Sequence, residues 1–188
     1  MDQHYLRVLR LTGASVICLG MLVLVLKTLG PTYPGFMVSI YVLTFTYISW
    51  YDYTHKEIPN AISYPSIFLA YLGGAVMMEN GFLASLIGAS IGFILFFSIW
   101  VVPRLTLGAG DVKLSIAIGA FCGFPNAVLA FCISFAFLIP VVISALIFQS
   151  IRGNFPLPMA PFLSAGGFVG LLWGDDIVLW YTGLLDQT

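Results

Sequence analysis

Seven long apolar runs separated by short polar connections make up most of the chain, and this pattern limits the folds open to it. Hydrophobic residues form 60% of the 188 residues and charged residues only 8%, against about 25% charged in ordinary soluble domains. A chain so poor in charge cannot cover itself with polar groups in water. The sequence therefore predicts an all-α, polytopic membrane helical bundle with about seven transmembrane spans.

The limits of the spans follow from the apolar runs, since a spanning helix needs about 20 residues. The predicted spans are Leu11–Leu29, Phe36–Tyr51, Ala61–Met78, Phe82–Val102, Asp111–Gly123, Ala127–Gln149 and Pro161–Trp173. The fifth and seventh runs are short and are expected to draw on flanking residues. No small-residue cleavage site follows the first run, so we interpret it as a retained anchor.

We interpret residues 1–188 as one membrane-embedded domain. Its predicted parts are an N-terminal anchor span with its outer loop at 1–34, a helical core at 35–174, and an interfacial tail at 175–188. In the tail, Trp180 and Tyr181 would serve as interface anchors, and an eighth partial span is the alternative.

The distribution of lysine and arginine predicts the orientation, because these residues concentrate on the cytosolic side. With the N-terminus in the cytosol, only Lys27 falls outside. The six on the inner side are Arg7, Arg10, Lys56, Arg104, Lys113 and Arg152.

The composition also argues against several classes of partner. The net charge of −1 offers no basic surface for nucleic acid. His4 and His55 stand alone, and the three cysteines form no paired motif, so we expect neither a metal site nor a cofactor. The expected surroundings are a lipid bilayer, and the sequence carries no signal for an oligomeric state.

Two aspartates fall at the same predicted membrane boundary. Asp52 ends the second span and Asp111 begins the fifth, so both are expected at the cytosolic face. A carboxylate at bilayer depth costs about 2.5–3.5 kcal/mol on insertion scales, so such groups usually face a water-filled cavity and have a function. The alternative is that each carboxylate only solvates a loop or pairs with a nearby lysine or arginine.

Two carboxyl groups held close together could hydrolyse an amide without a covalent intermediate. Like charges at short range tend to share one proton, so one member could activate water while the other protonates the leaving group. Gly108 and Gly110 would let an extended substrate backbone approach Asp111. Lys113 lies about 200° around the helix from Asp111, and we expect it to support the site by reaching toward headgroups or pairing with another acid.

Three segments, in order, resemble the type IV prepilin peptidase family of GxGD intramembrane aspartyl proteases. They are "DYTHKEIPNAIS" from Asp52, "GAGDVKL" around Asp111, and "PLPMAPFLSAGG" near the end of the chain. The resemblance implies that Asp52 and Asp111 are catalytic. It also points to substrate-binding or supporting roles for the flanking motif residues Gly108, Gly110, Lys113, Ile58, Pro59, Asn60, Pro161 and Phe162.

The resemblance further implies an activity and a location. Members of the family remove the short basic leader of prepilins or pseudopilins after a glycine, at the cytosolic face of the bacterial inner membrane, and thereby serve type IV pili and protein secretion. Larger members carry an insert with paired CxxC motifs that methylates the new N-terminus. The connection "GPTYPG" between the first two runs has no room for that insert, so we expect a short form with peptidase activity alone.

In the first of these segments, Ile58, Pro59 and Asn60 are expected to begin the third span, with Asn60 capping its first amides. Two alternatives to the peptidase remain open at this point. A presenilin-like or signal-peptide-peptidase-like protease also uses a GxGD aspartate, although the Pro-Ala-Leu segment expected near its end is missing. A small transporter or channel could also carry intramembrane acids.

Overall fold

The described part of the chain is helical throughout. The computed structural model describes residues 3–77, 81–102, 107–147 and 158–185. Its helices are α1 (Gln3–Thr28), α2 (Tyr33–His55), α3 (Asn60–Met77), α4 (Gly81–Val101), α5 (Ala109–Cys122), α6 (Asn126–Ile147) and α7 (Ala160–Leu185). Each predicted apolar run corresponds to one of these helices, which confirms the all-α fold.

Three of the described helices are long and apolar enough to cross a membrane by length and composition. These are Gly81–Val101, Asn126–Ser144 and Ala160–Leu184. Thr12–Thr28 forms a shorter apolar stretch. The architecture is that of a helical membrane protein, while the number of seven spans stays a prediction.

Helix α5 forms the centre of the bundle. It packs against α3, α4, α6 and α7, and ten of its fourteen residues are buried. A helix of this length is about 21 Å long, which is less than the hydrocarbon thickness of about 30 Å. Protein rather than lipid surrounds α5, so its short length leaves little backbone facing the lipid.

The close packing of α5 depends on small residues. The apposed glycines Gly88 of α4 and Gly119 of α5 leave so little space that a Cβ on either would lie 2.2 Å from the other's carbonyl oxygen. At the end of α5, Gly123 has a φ of 63°, which an L side chain rarely adopts. The chain can therefore turn there from α5 into α6.

Helices α2 and α7 extend beyond the predicted spans. Helix α2 continues past Tyr51 to His55, where Lys56 adopts a left-handed conformation and its N–H donates to the Asp52 carbonyl at 2.7 Å. Asp52 thus lies within the last turn of α2, which agrees with its expected place at the end of the second span.

The predicted end of the seventh span at Trp173 is wrong. Helix α7 runs without interruption to Leu185, so the described part of the tail is a continuation of that helix and not a separate segment. No proline interrupts it, and the Asn126 amide donates to the Asp175 carboxylate at 2.7 Å, which ties this part of α7 to the start of α6. The interfacial location of Trp180 and Tyr181 stays a prediction.

Candidate active site

The two aspartates lie at the same end of the helix bundle. Asp52 comes from the last turn of α2 and Asp111 from the first turn of α5, and their side chains are only 5% and 8% exposed. The carboxyl groups are near enough to interact electrostatically. Helix α3 leads the chain away from this end of the bundle and α4 leads it back, so α5 begins at the end where α2 stops.

Each carboxylate is held by one backbone amide. The N–H of Ala160, the first residue of α7, donates to Asp52 Oδ2 at 3.1 Å. The N–H of Gly108 donates to Asp111 Oδ2 at 3.1 Å, as in the reciprocal half of a capping box. Within the described residues, the second oxygen of each carboxylate has no hydrogen-bond partner, so each can accept a bond from water or bind a substrate group.

The donor at Ala160 was not identified from the sequence. Pro161 and Phe162 were expected near the site, and the structure places both in the first turn of α7. The Phe162 amide donates to the Met159 carbonyl at 3.1 Å, while the amide of Ala160 precedes these bonds and is free to reach Asp52. A signal did exist, because a proline in a first helical turn marks the region where helix amides lack internal partners.

The segment between α2 and α3 packs directly on the start of α5. A Cβ added at Gly110 would lie 2.8 Å from Ile58 Cβ, so Ile58 fills the space beside this glycine. That space was expected to admit a substrate backbone, and the structure instead gives it to a neighbouring side chain. Gly108 is the more open of the two, since a Cβ there would meet Asp111 Oδ2 at 3.3 Å and otherwise only Gly110 N at 3.8 Å.

Asn60 and Lys113 join the same two elements by a side-chain contact. The Lys113 ammonium donates to the Asn60 side-chain oxygen and lies 4.8 Å from the centre of the Tyr64 ring. Lys113 was expected to reach headgroups or an acid, and Asn60 was expected to cap α3. The amide oxygen of Asn60 accepts from Lys113 across 53 positions of sequence, so it does not cap α3 as expected. The approach of Lys113 to headgroups stays a prediction.

The start of α3 is formed by Pro59 instead. Its carbonyl accepts hydrogen bonds from the amides of Ile62 at 3.0 Å and Ser63 at 3.1 Å. The Ser63 hydroxyl also donates to this carbonyl, at 3.2 Å. The prediction that this segment begins the third helix is confirmed, since α3 starts at Asn60.

Known proteins resemble the chain over most of its length. The prepilin leader peptidase/N-methyltransferase of Aeromonas hydrophila is 26% identical over 168 residues, which cover 85% of this chain and 57% of the relative. The corresponding protein of Stutzerimonas stutzeri is 30% identical over 145 residues, covering 71% of this chain and 48% of the relative. That of Bacillus subtilis (strain 168) is 28% identical over 148 residues, covering 78% and 59%.

The chain spans about half the length of the curated relatives that it matches. No solved structure matches it. The sequence profile of the type IV leader peptidase family matches residues 39–143, a stretch that contains both aspartates and more than half of the chain. The chain therefore belongs to the type IV leader peptidase family.

Proposed function

We propose that this protein is a membrane-embedded aspartic endopeptidase that removes the basic leader of prepilins or pseudopilins. The observation that carries this proposal is the pairing of Asp52 and Asp111. Both are buried, each has one oxygen fixed by a backbone amide, and each has a second oxygen without a partner among the described residues. Membership of the type IV leader peptidase family supports the same function.

The proposed mechanism uses one water molecule and one shared proton. The ionised aspartate removes a proton from water, whose oxygen attacks the carbonyl carbon of the scissile peptide bond. The protonated aspartate donates to the carbonyl oxygen, and the resulting intermediate collapses with proton transfer to the leaving nitrogen. The products are a leader with a free carboxyl group and a pilin with a free amine, and both aspartates return to their starting state.

The amides of Ala160 and Gly108 have a positioning role in this mechanism. By holding one oxygen of each carboxylate, they direct the other oxygen toward the space where water and the peptide bond would meet. Such preorganisation lowers the cost of orienting the reacting groups. The starts of α7 and α5 would therefore fix the geometry of the two aspartates.

We place the active site at the cytosolic face of the bacterial inner membrane. The support is the sequence-based topology, in which six of the seven lysine and arginine residues fall on the same side of the membrane as the two aspartates. The connection between Thr28 and Tyr33 is too short for a methyltransferase insert at that point, which supports peptidase activity alone.

A direct test is to incubate the detergent-solubilised protein with a synthetic prepilin peptide and measure its products by mass spectrometry. The peptide carries a lysine-rich leader that ends in glycine, followed by a 20-residue apolar helix. Cleavage directly after the glycine is expected, without added metal. Intact peptide after prolonged incubation with a preparation that is folded by thermal melting would refute the proposal.

The two glycines before Asp111 are predicted to respond differently to alanine. Gly110→Ala should lower the free energy of unfolding by about 1–3 kcal/mol, because the new methyl group would overlap Ile58. Gly108→Ala should leave stability near wild type and slow cleavage, because its methyl group would press on the Asp111 carboxylate. Thermal melting and cleavage rates in detergent measure both effects. Equal stability of the two variants would contradict this assignment.

The contact between Asn60 and Lys113 is predicted to be mainly structural. Asn60→Ala should lower the free energy of unfolding by about 1 kcal/mol, since the ammonium loses a hydrogen-bond acceptor. Asn60→Asp keeps that acceptor and serves as the matched control, with a melting temperature close to wild type. The cleavage position, read by product mass, should not move. A shifted cleavage position with unchanged melting would instead indicate that Asn60 contacts the substrate.

A further inference from the structure

A largely apolar cavity of about 480 Å³ lies between α1, α2 and α7. Its α2 lining runs from Tyr41 to Tyr53, a length of about 18 Å along a helix. Tyr53 directly follows Asp52, and Pro161 on the opposite wall directly follows the residue that donates to Asp52. The cavity therefore leads from the level of the candidate active site into the bundle.

Both side walls of this cavity include small residues. Helix α1 contributes Gly13 and Ala14, and α7 contributes Ser164 and Ala165. Small residues at a membrane helix surface allow another segment to approach closely. A Cβ added at Gly13 would meet no heavy atom within 4 Å, so this wall is open.

The polar groups of the cavity identify the kind of occupant. Trp50 lines the cavity, and its buried indole N–H has no hydrogen-bond partner among the described residues. Two of the hydroxyls that line the cavity already have acceptors: Ser49 donates to the Ser164 hydroxyl at 2.9 Å, and Tyr41 donates to the Ser164 carbonyl at 3.1 Å. Buried donors are nearly always paired. A peptide supplies carbonyl acceptors along its whole length, whereas the hydrocarbon part of a lipid chain supplies none.

We propose that this cavity binds the apolar segment of the prepilin on the carboxyl side of the scissile bond. The inference rests on the proposed function. With the scissile bond at the two aspartates, the segment that follows it would continue from Tyr53 along α2, and one face of its side chains would fill the cavity. A carbonyl near the start of that segment would accept the Trp50 N–H. The cavity thus selects for an apolar helix behind the cleavage site.

Filling the cavity tests this proposal. The Gly13→Phe variant places a ring in the open space, and Gly20→Phe is the matched control, because Gly20 is also on α1 with nothing within 4 Å but does not line the cavity. Two synthetic substrates share the lysine-rich leader and glycine. One continues with a 20-residue apolar helix and the other ends four residues after the glycine.

Gly13→Phe is expected to raise KM for the long substrate by about 10-fold or more, as if one apolar side chain were excluded, with kcat unchanged. Cleavage of the short substrate should match wild type, and Gly20→Phe should match wild type on both. Trp50→Phe should raise KM for the long substrate about fivefold through loss of one hydrogen bond. A wild-type KM for the long substrate in Gly13→Phe would overturn the inference. Cleavage of neither substrate by the wild type would overturn the proposed function itself.

Photo-crosslinking provides a second measurement, which does not depend on blocking the cavity with a bulky side chain. The photoreactive residue p-benzoylphenylalanine replaces Ile17 or Val16 in the Asp111→Asn background. Ile17 lines the cavity, whereas Val16, on the same helix and 70% exposed, does not. Crosslinks to the apolar helix of the long substrate are expected from position 17 and not from position 16. Crosslinks from position 17 to lipid alone, or to a second copy of this chain alone, would overturn the inference.

Discussion

Replacing either Asp52 or Asp111 with asparagine is expected to abolish cleavage of the prepilin peptide. Asparagine keeps the shape of the side chain and an oxygen for the amide of Ala160 or Gly108, but it cannot exchange a proton with water or substrate. General acid–base catalysis contributes about 10²–10⁴-fold per group, so each single variant should lose at least that much. The initial rate of product formation in detergent is the measurement.

The double variant separates a catalytic pair from two independent contributions. Residues that act as one unit lose activity non-additively, so Asp52→Asn with Asp111→Asn should be scarcely slower than either single variant. His55→Ala is the matched control, because His55 is also titratable and lies three residues after Asp52, but it stacks on Tyr51 with ring centres 4.2 Å apart. It should retain most of the activity. A well-melting Asp111→Asn variant with a substantial fraction of the normal rate would exclude the two-aspartate mechanism.

Hydropathy predicts which runs of this chain are helical better than it predicts where the helices end. The backbone hydrogen bonds of a helix continue past the hydrocarbon core as long as no residue interrupts them. A charged residue ends an apolar run, but it does not end a helix. Helix α2 therefore continues through Asp52, and α7 continues through Asp175. Helix α2 ends at Lys56, which has a left-handed conformation. Lysine rarely adopts this conformation, so the residue type does not predict the end of the helix there.

The location of both aspartates at one end of the bundle was accessible from the sequence because it depends on topology alone. Two helices, α3 and α4, separate the end of α2 from the start of α5. Because the chain crosses the bundle twice between them, Asp52 and Asp111 lie on the same side. The contacts around them were not accessible, since the Ile58–Gly110 packing and the Asn60–Lys113 hydrogen bond join residues far apart in sequence. Such contacts depend on the rotation and depth of each helix, which residue types alone do not determine.

Gly119→Ala is expected to be the most disruptive small substitution in the bundle. The new methyl group would lie 2.2 Å from the carbonyl oxygen of Gly88 and 2.7 Å from its carbonyl carbon. A backbone cannot rotate away as a side chain can, so α4 and α5 would have to separate. The free energy of unfolding should fall by at least the roughly 1–3 kcal/mol that overpacking usually costs. Because α5 also carries Asp111, the displacement should slow prepilin cleavage as well. Gly20→Ala has open space around it and should match or exceed wild-type stability, since alanine favours a helix over glycine. If both variants melted at the same temperature in detergent, α4 and α5 would not be in the close contact that positions Asp111.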